Sequence, residues 1–312
     1  MKLIDFHCDT PAALFRSAGT LGVNPLLQVD LAKTAVFDGY CQAAACFCPS
    51  ALDNEAGYQT VKRYLAYLKE AVTTEPEAVP VTDAIGVLAA MENGKRAFLP
   101  AVEDLRILDG DLSRVAEMRE MGVRIATLVW RGSSCIGGAH NTEEGLTPFG
   151  REALLALLEN GILPDVSHAS RKTLQDTAEI CRTQGKPFLA THSSAFALCP
   201  HRRNLTDEEI RLIASCGGVI GVNIYPPFLR ADAPATLTDV LAHVRHLFHI
   251  AGADAVVLGT DLDGVDLLPE GIRDVSDLIK IADAMQGSGF TANEIDRLFY
   301  QNGLQFIKNY LN

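Results

Sequence analysis

Short apolar runs rich in β-branched residues alternate with amphipathic stretches along nearly the whole chain, and this alternation most limits the possible folds. Eight runs are expected as strands: Leu3–His7, Tyr40–Cys48, Ala97–Val102, Val123–Trp130, Ile162–Val166, Pro187–Thr191, Val219–Ile224 and Ala255–Gly259. Helical patterns over Leu112–Met121, Pro148–Asn160, Arg171–Thr183 and Leu237–Ala251 lie between them, and Thr206 with Glu209 reads as a capping box opening another. Strands joined through helices must pair in parallel, with right-handed crossovers. Eight such units in 312 residues fit a (β/α)8 TIM barrel. An open doubly wound sheet is the competing architecture, but no G-x-G-x-x-G or Walker sequence follows any strand. No low-complexity linker divides the chain. A single barrel domain over residues 1–312 is therefore expected. Helices at Glu55–Thr73 and Thr82–Glu92 would be inserted after the second strand, and helices at Val275–Gln286 and Ala292–Leu311 would close it.

The reactive side chains fall just past the strand ends. His7-x-Asp9 ends the first strand. Residues i and i+2 of a strand face the same side, so an imidazole and a carboxylate would project together and offer one metal ion an N and an O ligand. Cys8 would point the other way. Glu103 follows the third strand, His168 the fifth, His192 the sixth and Asp261 the eighth. A barrel brings all these ends to one rim, the face where barrel enzymes carry their sites. Three His, two Asp and one Glu exceed the needs of one tetrahedral ion and suit two divalent ions bridged by a carboxylate, for which Glu103 is the natural choice. Each residue alone has a structural role open to it. Asp9 could cap a helix at Pro11, His168 could cap the helix beginning near Ser170, and Asp261 with Asp263 could form a turn closed by Gly264. Recurrence at five strand ends is what points to a site. His243, His246 and His249 share a helix with charged neighbours and read as surface or outer-layer residues.

Composition narrows what such a barrel could serve. With 48% hydrophobic and 21% charged residues and a net charge of −12, the chain has the balance of a soluble enzyme whose surface repels phosphate backbones. The densest basic run, His201-Arg202-Arg203, is too short for a nucleic-acid patch, so no nucleic-acid partner is expected. No window approaches the roughly 20 apolar residues of a membrane span. The start Met1-Lys2-Leu3-Ile4-Asp5 reaches an acid too early for the apolar part of a signal peptide, and no apolar tail suits a lipid anchor. No membrane association is expected. The eight scattered cysteines are expected as free, mostly buried thiols in a reducing cytoplasm.

Several stretches together resemble the membrane dipeptidase (renal dipeptidase) family of zinc peptidases, family M19, within the amidohydrolase-like barrels. They are Asp5-Phe6-His7-Cys8-Asp9, Gly145-Leu146-Thr147-Pro148-Phe149-Gly150, Asp165-Val166-Ser167-His168, Thr191-His192-Ser193, Arg203-Asn204-Leu205-Thr206-Asp207, Gly217-Gly218-Val219-Ile220-Gly221 and Gly259-Thr260-Asp261-Leu262-Asp263-Gly264. The resemblance implies a dipeptidase with two Zn²⁺. Other divalent ions such as manganese or cobalt could serve. It implies that His7 and Asp9 bind one ion and His168 and His192 the other, with Glu103 bridging. It further implies that Asp261 is the acid/base and that Arg203 grips the substrate's carboxylate, as bidentate geometry favours. Asp263, in the same turn, is expected beside the substrate. A homodimer is common among similar proteins.

One departure from the family pattern concerns the fourth strand. Many members carry a His there that contacts the scissile carbonyl, whereas here Thr127-Leu128-Val129-Trp130 puts Trp130 in its place. An indole donates one hydrogen bond and cannot carry a proton in catalysis. His140, in the following loop, is a candidate to compensate. The substitution leaves open a metal-dependent amidohydrolase acting on another amide, an N-acyl amino acid or a lactone. A non-catalytic metal-binding barrel is the reading from a different class.

Overall fold

Strands form where small and β-branched residues run together, and all of them pair in parallel. The computed structural model describes residues 1–311. Its strands are β1 (Lys2–Cys8), β2 (Gly39–Phe47), β3 (Ala78–Pro80), β4 (Arg96–Glu103), β5 (Ile125–Thr127), β6 (Leu163–Asp165), β7 (Ala190–Ser193), β8 (Ile220–Val222) and β9 (Val256–Leu258). The order β6-β5-β4-β2-β1-β9-β8-β7 makes an eight-strand path whose ends meet. Asp165 bridges Leu189 in parallel, and the Val166 N–H donates to the Leu189 carbonyl at 2.8 Å. The expected (β/α)8 barrel is thus the observed fold.

The short β3 is a ninth strand that the sequence did not announce. It pairs with Arg96–Phe98 of β4 while β5 pairs with Ala101–Glu103, so the two share one edge of a longer strand. Three residues are too few to show an alternating pattern. Helices Arg171–Thr183 and Leu237–Ala251 form at the expected bounds, and the Thr206–Glu209 capping box is present. The closing stretch is not one helix. It runs as Ala292–Asp296, a π-helical turn Arg297–Gln301 and Asn302–Tyr310. Among the described residues, no helix is long and apolar enough to cross a membrane. All eight cysteines are free, and Cys46 and Cys48 enter the same buried cluster. His243 on the outer helix is buried: it accepts the Ala195 N–H and lies 3.1 Å from the Leu229 carbonyl, so it braces a loop.

The barrel interior has an apolar floor drawn from six strands of the ring, including Phe6, Ala43, Leu99, Ile125, Leu163 and Val257, with Leu189 and Val219 just before β7 and β8. Tyr300, Leu304 and Phe306 close it from below. Burying Phe6 or Leu99 this fully contributes roughly 2–3 kcal/mol each. Above the floor two strands slip register by one residue. On β1, Asp5 pairs with Gln42 but Cys8 pairs with Ala44. On β7, Ala190 pairs with Ile220 but Ser193 pairs with Val222. Each irregularity places one extra residue in the strand and re-aims side chains, as β-bulges do near active sites. Consequently Phe6 joins the floor while His7, next in sequence, reaches Glu103. Cys8 turns back toward Asp5, its Sγ 3.3 Å from Oδ2.

The bulge in β7 presses the Thr191 carbonyl against two glycines. A Cβ on Gly259 would lie 1.7 Å from that oxygen, and one on Gly221 1.8 Å. Gly259→Ala is expected to cost about 1–3 kcal/mol or more, because the obstructing atom is backbone and cannot swing aside. A urea midpoint equal to that of the wild type would contradict this packing.

Candidate active site

The β1 bulge delivers His7 and then Asp9 to the rim, β4 ends on Glu103, and the segments after β6, within β7 and after β9 supply His168, His192 and Asp261. The expected donors converge. Glu103 lies between two sets of partners. Its Oε2 is 3.7 Å from His7 Nε2, which is 3.5 Å from Asp9 Oδ2. Its Oε1 is 3.0 Å from His168 Nε2 and 3.5 Å from His192 Nε2. Asp261 joins the His7 and Asp9 side, within 4.8 Å of both. The rim backbone is unusual: His168, Asp261 and Asp263 have φ of 69°, 66° and 65°. Non-glycine residues rarely adopt that left-handed region, and a surrounding structure must hold them there. The alternative capping roles are taken by others or absent. Ser170 caps the helix after His168, and Asp9 makes no side-chain cap.

Burial and charge set the electrostatics. Burial pushes the Asp261 carboxyl up to about 8; His7 opposes this, while the Asp9 and Glu103 carboxylates add to it. Burial lowers His168 to about 4, with Arg203 adding to the effect. Glu103 is held well below the usual carboxylate range despite its burial, by His7 and His168. Several buried polar atoms here lack any partner among the described residues: His7 Nε2, Asp9 Oδ1, His168 Nδ1 and Arg203 Nε. Orphaned buried donors and acceptors are costly, about 1–3 kcal/mol each, and are retained where a ligand will satisfy them.

The remaining expected residues divide between the cavity and its margins. A cavity of about 220 Å³ is lined by Asp9, Glu103, His168 and Asp261 together with Trp130 and Asp263. The Trp130 ring sits 6.1 Å from that of His168 and 4.9 Å from that of Phe47. Asp263 accepts from Thr10 Oγ1 and the Gln28 N–H, so much of its role is to hold the rim. Arg203 is buried, donates to the His192 carbonyl at 3.3 Å and lies over Phe228. His140 is tied by its backbone to the His168 carbonyl but lines a neighbouring pocket with Arg171 and Arg202.

Other residues at the site carried no signal of their own in the sequence. Asn223 Nδ2 donates to Asp261 Oδ2 at 3.0 Å, and Phe47 and Arg16 line the cavity. Beneath the rim, Asp165 and Thr191 form a buried polar layer. Their presence in the Asp165-Val166-Ser167-His168 and Thr191-His192-Ser193 stretches was the only available hint.

A family model described as membrane dipeptidase (peptidase family M19) matches residues 1–310. An uncharacterized protein in the pqqA 5′ region of Klebsiella pneumoniae is 35% identical over 225 residues, covering 68% of this chain and 82% of its own. An uncharacterized dipeptidase of Schizosaccharomyces pombe is 32% identical over 235 residues, covering 71% of this chain and 55% of its own. Among solved structures, dipeptidase AC, a metallo peptidase of family M19, superimposes with a TM-score of 0.92 at 25% identity, covering 100% of this chain and 99% of that one.

Proposed function

The chain belongs to the membrane dipeptidase family, peptidase family M19, and from that premise we propose that it is a dipeptidase working with two zinc ions held at the barrel rim. The observation that carries the reading is Glu103, whose two oxygens face two separate sets of N and O donors. The residues fit such ions. His168 Nε2 and His192 Nε2 lie 2.9 Å apart, an arrangement that two lone pairs tolerate only around a shared proton or a cation. His7 Nε2 and Asp9 Oδ1 are buried without partners. Imidazole and carboxylate donors suit zinc, with manganese or cobalt as possible substitutes. His7 and Asp9 would hold one ion and His168 and His192 the other, with Glu103 shared. When bound, the ions supply Lewis acidity, acidifying a water and polarising the scissile carbonyl.

The protein's own groups do the rest. Asp261 takes a proton from the attacking water and returns it to the leaving amine. Its raised pKa suits a group that must both accept and donate near neutrality. Asn223 orients the Asp261 carboxylate. Arg203, whose Nε has no partner, receives the C-terminal carboxylate of the substrate, which limits turnover to short peptides. Burial lowers Arg203 only to about 10, so it stays charged at neutral pH. Trp130 and Phe47 wall the cavity.

The test is a panel of L,L and L,D dipeptides, dipeptide amides, lactones and N-acyl amino acids, assayed with chelator and after zinc loading. Dipeptide turnover that chelator abolishes is expected, with amides lacking the free carboxylate poor substrates. Arg203→Met should raise KM for dipeptides about 10–100-fold, the worth of a charged hydrogen bond. Arg203→Lys should not restore it, because a point charge lacks the bidentate fork. No activity on any dipeptide in a zinc-loaded sample would sink the reading. Lactone turnover in its place would favour the alternative that Trp130 leaves open.

A further inference from the structure

One hydroxyl sits at the centre of the polar layer beneath the rim. Thr191 Oγ1 is 2.6 Å from Asp165 Oδ2, 2.8 Å from His192 Nδ1 and 3.3 Å from His7 Nδ1. A hydroxyl has one proton to give and two lone pairs to receive with. Asp165 is an acceptor on all sides. Its Oδ1 receives the backbone N–H groups of Ser167 and Thr191, each at 2.9 Å, and its Oδ2 receives the Thr127 hydroxyl at 2.6 Å. The Thr191 proton is therefore committed to Asp165, and its lone pairs face the imidazoles. Ser167 Oγ, 3.3 Å from the same hydroxyl, accepts the His192 backbone N–H.

We propose that Thr191, anchored by Asp165, is a positioning residue that holds both His192 and His7 in the tautomer protonated on Nδ1, so that one hydroxyl readies a nitrogen donor on each side of Glu103. With Nδ1 protonated, Nε2 is the nitrogen left to bind a cation, and the two Nε2 atoms already face different oxygens of Glu103. His168 differs. Its Nδ1 meets no partner among the described residues, while its Nε2 lies 3.0 Å from Glu103 Oε1 and 2.9 Å from His192 Nε2, so without a metal ion its proton sits on Nε2. The fold is built around this hydroxyl. The β7 bulge lets Thr191 and His192, consecutive in sequence, both reach the interior, and Gly221 and Gly259 clear the space that the Thr191 carbonyl enters. Asp165 is fully buried and Thr191 nearly so, which leaves water little access to replace these bonds.

The consequence for metal binding rests on the two-ion dipeptidase reading, whereas the tautomers do not, and the experiment separates the two. Long-range ¹H–¹⁵N correlation spectra of the metal-free protein labelled on histidine nitrogens read the tautomers directly, with single His→Gln variants assigning the signals. Nδ1 is expected protonated in both His7 and His192, with His7 holding a second proton on Nε2 where Glu103 and Asp9 face it, and His168 is expected protonated on Nε2. Finding Nδ1 without a proton at His7 or His192 overturns the proposal. Zinc titration calorimetry then follows the loss of preorganisation. Thr191→Val is expected to weaken both binding steps about 10–100-fold, the usual effect of removing an outer partner of a ligating histidine. Thr191→Ser, which keeps the hydroxyl, is expected to restore them. Wild-type affinity in Thr191→Val, or weakening confined to one ion, overturns the shared role. A wild-type protein that binds two zinc ions but cleaves no dipeptide would defeat the functional reading and leave this inference standing.

Discussion

Glu103→Ala is expected to strip metal from both halves of the site at once. Every other donor belongs to one side, but Glu103 faces His7 with one oxygen and His168 and His192 with the other. Removing it takes a negative donor from two cations and leaves three histidines without their common carboxylate. Loss of a mere outer partner costs 10–100-fold in metal affinity, so loss of a shared direct ligand should exceed about 100-fold for each ion. Elemental analysis after dialysis should find fewer than one zinc per chain where the wild type retains two, with dipeptide turnover lost in parallel. Glu103→Gln, which keeps the shape and one carbonyl acceptor, should fall between. Cys8→Ala is the control: Cys8 sits between two donors in sequence but faces Asp5 and not the site, so its metal content should match the wild type. Two retained ions in Glu103→Ala would refute the arrangement.

Asp261→Asn should produce the second large effect, of a different kind. The variant keeps the side chain's shape and can still accept from Asn223, so metal content and KM should change little. What it loses is the ability to carry a proton. A positioned acid/base is worth about 10²–10⁴-fold, so kcat should fall by that factor, roughly 3–5 kcal/mol of barrier. The pH profile supplies the sign. Asp261 must be ionised to accept the water's proton, so wild-type turnover should fall as pH drops through its pKa. Burial places that pKa at about 8 in the metal-free protein, and bound cations draw it lower. The acidic limb should therefore lie below 8 in the zinc enzyme and should vanish in the residual activity of Asp261→Asn. An unchanged kcat would assign the proton to another group.

The donors were legible because each combines a chemical type with a place. His7-x-Asp9, Glu103, His168, His192 and Asp261 all follow apolar runs, and a barrel turns the ends of those runs into one rim. Trp130 was legible as a departure from the family pattern, and the cavity places it beside His168. Asn223 was invisible, because an Asn after a strand has no distinguishing chemistry until its distance to Asp261 is known. β3 escaped because three residues hold no period, and the π-helical turn at Arg297–Gln301 because its residues continue a helical pattern without a break.

By itself the sequence determined the alternation of strands and helices, and with it a parallel barrel and the set of residues at its rim. Those follow from local periodicity and from the rule that parallel strands need crossovers, both of which are properties of neighbours along the chain. Only the tertiary structure decided which way consecutive residues face where β1 and β7 slip register. Simple alternation would send Phe6 and His7, or Thr191 and His192, to opposite sides, yet a one-residue bulge brings both members of each pair inward. A bulge depends on the pairing partner, on Ala44 for β1 and on Val222 for β7, and no window of sequence contains that partner. The same holds for Thr191 Oγ1 between Asp165, His192 and His7. Its role is a matter of three distances across three strands, which exist only once the barrel has closed.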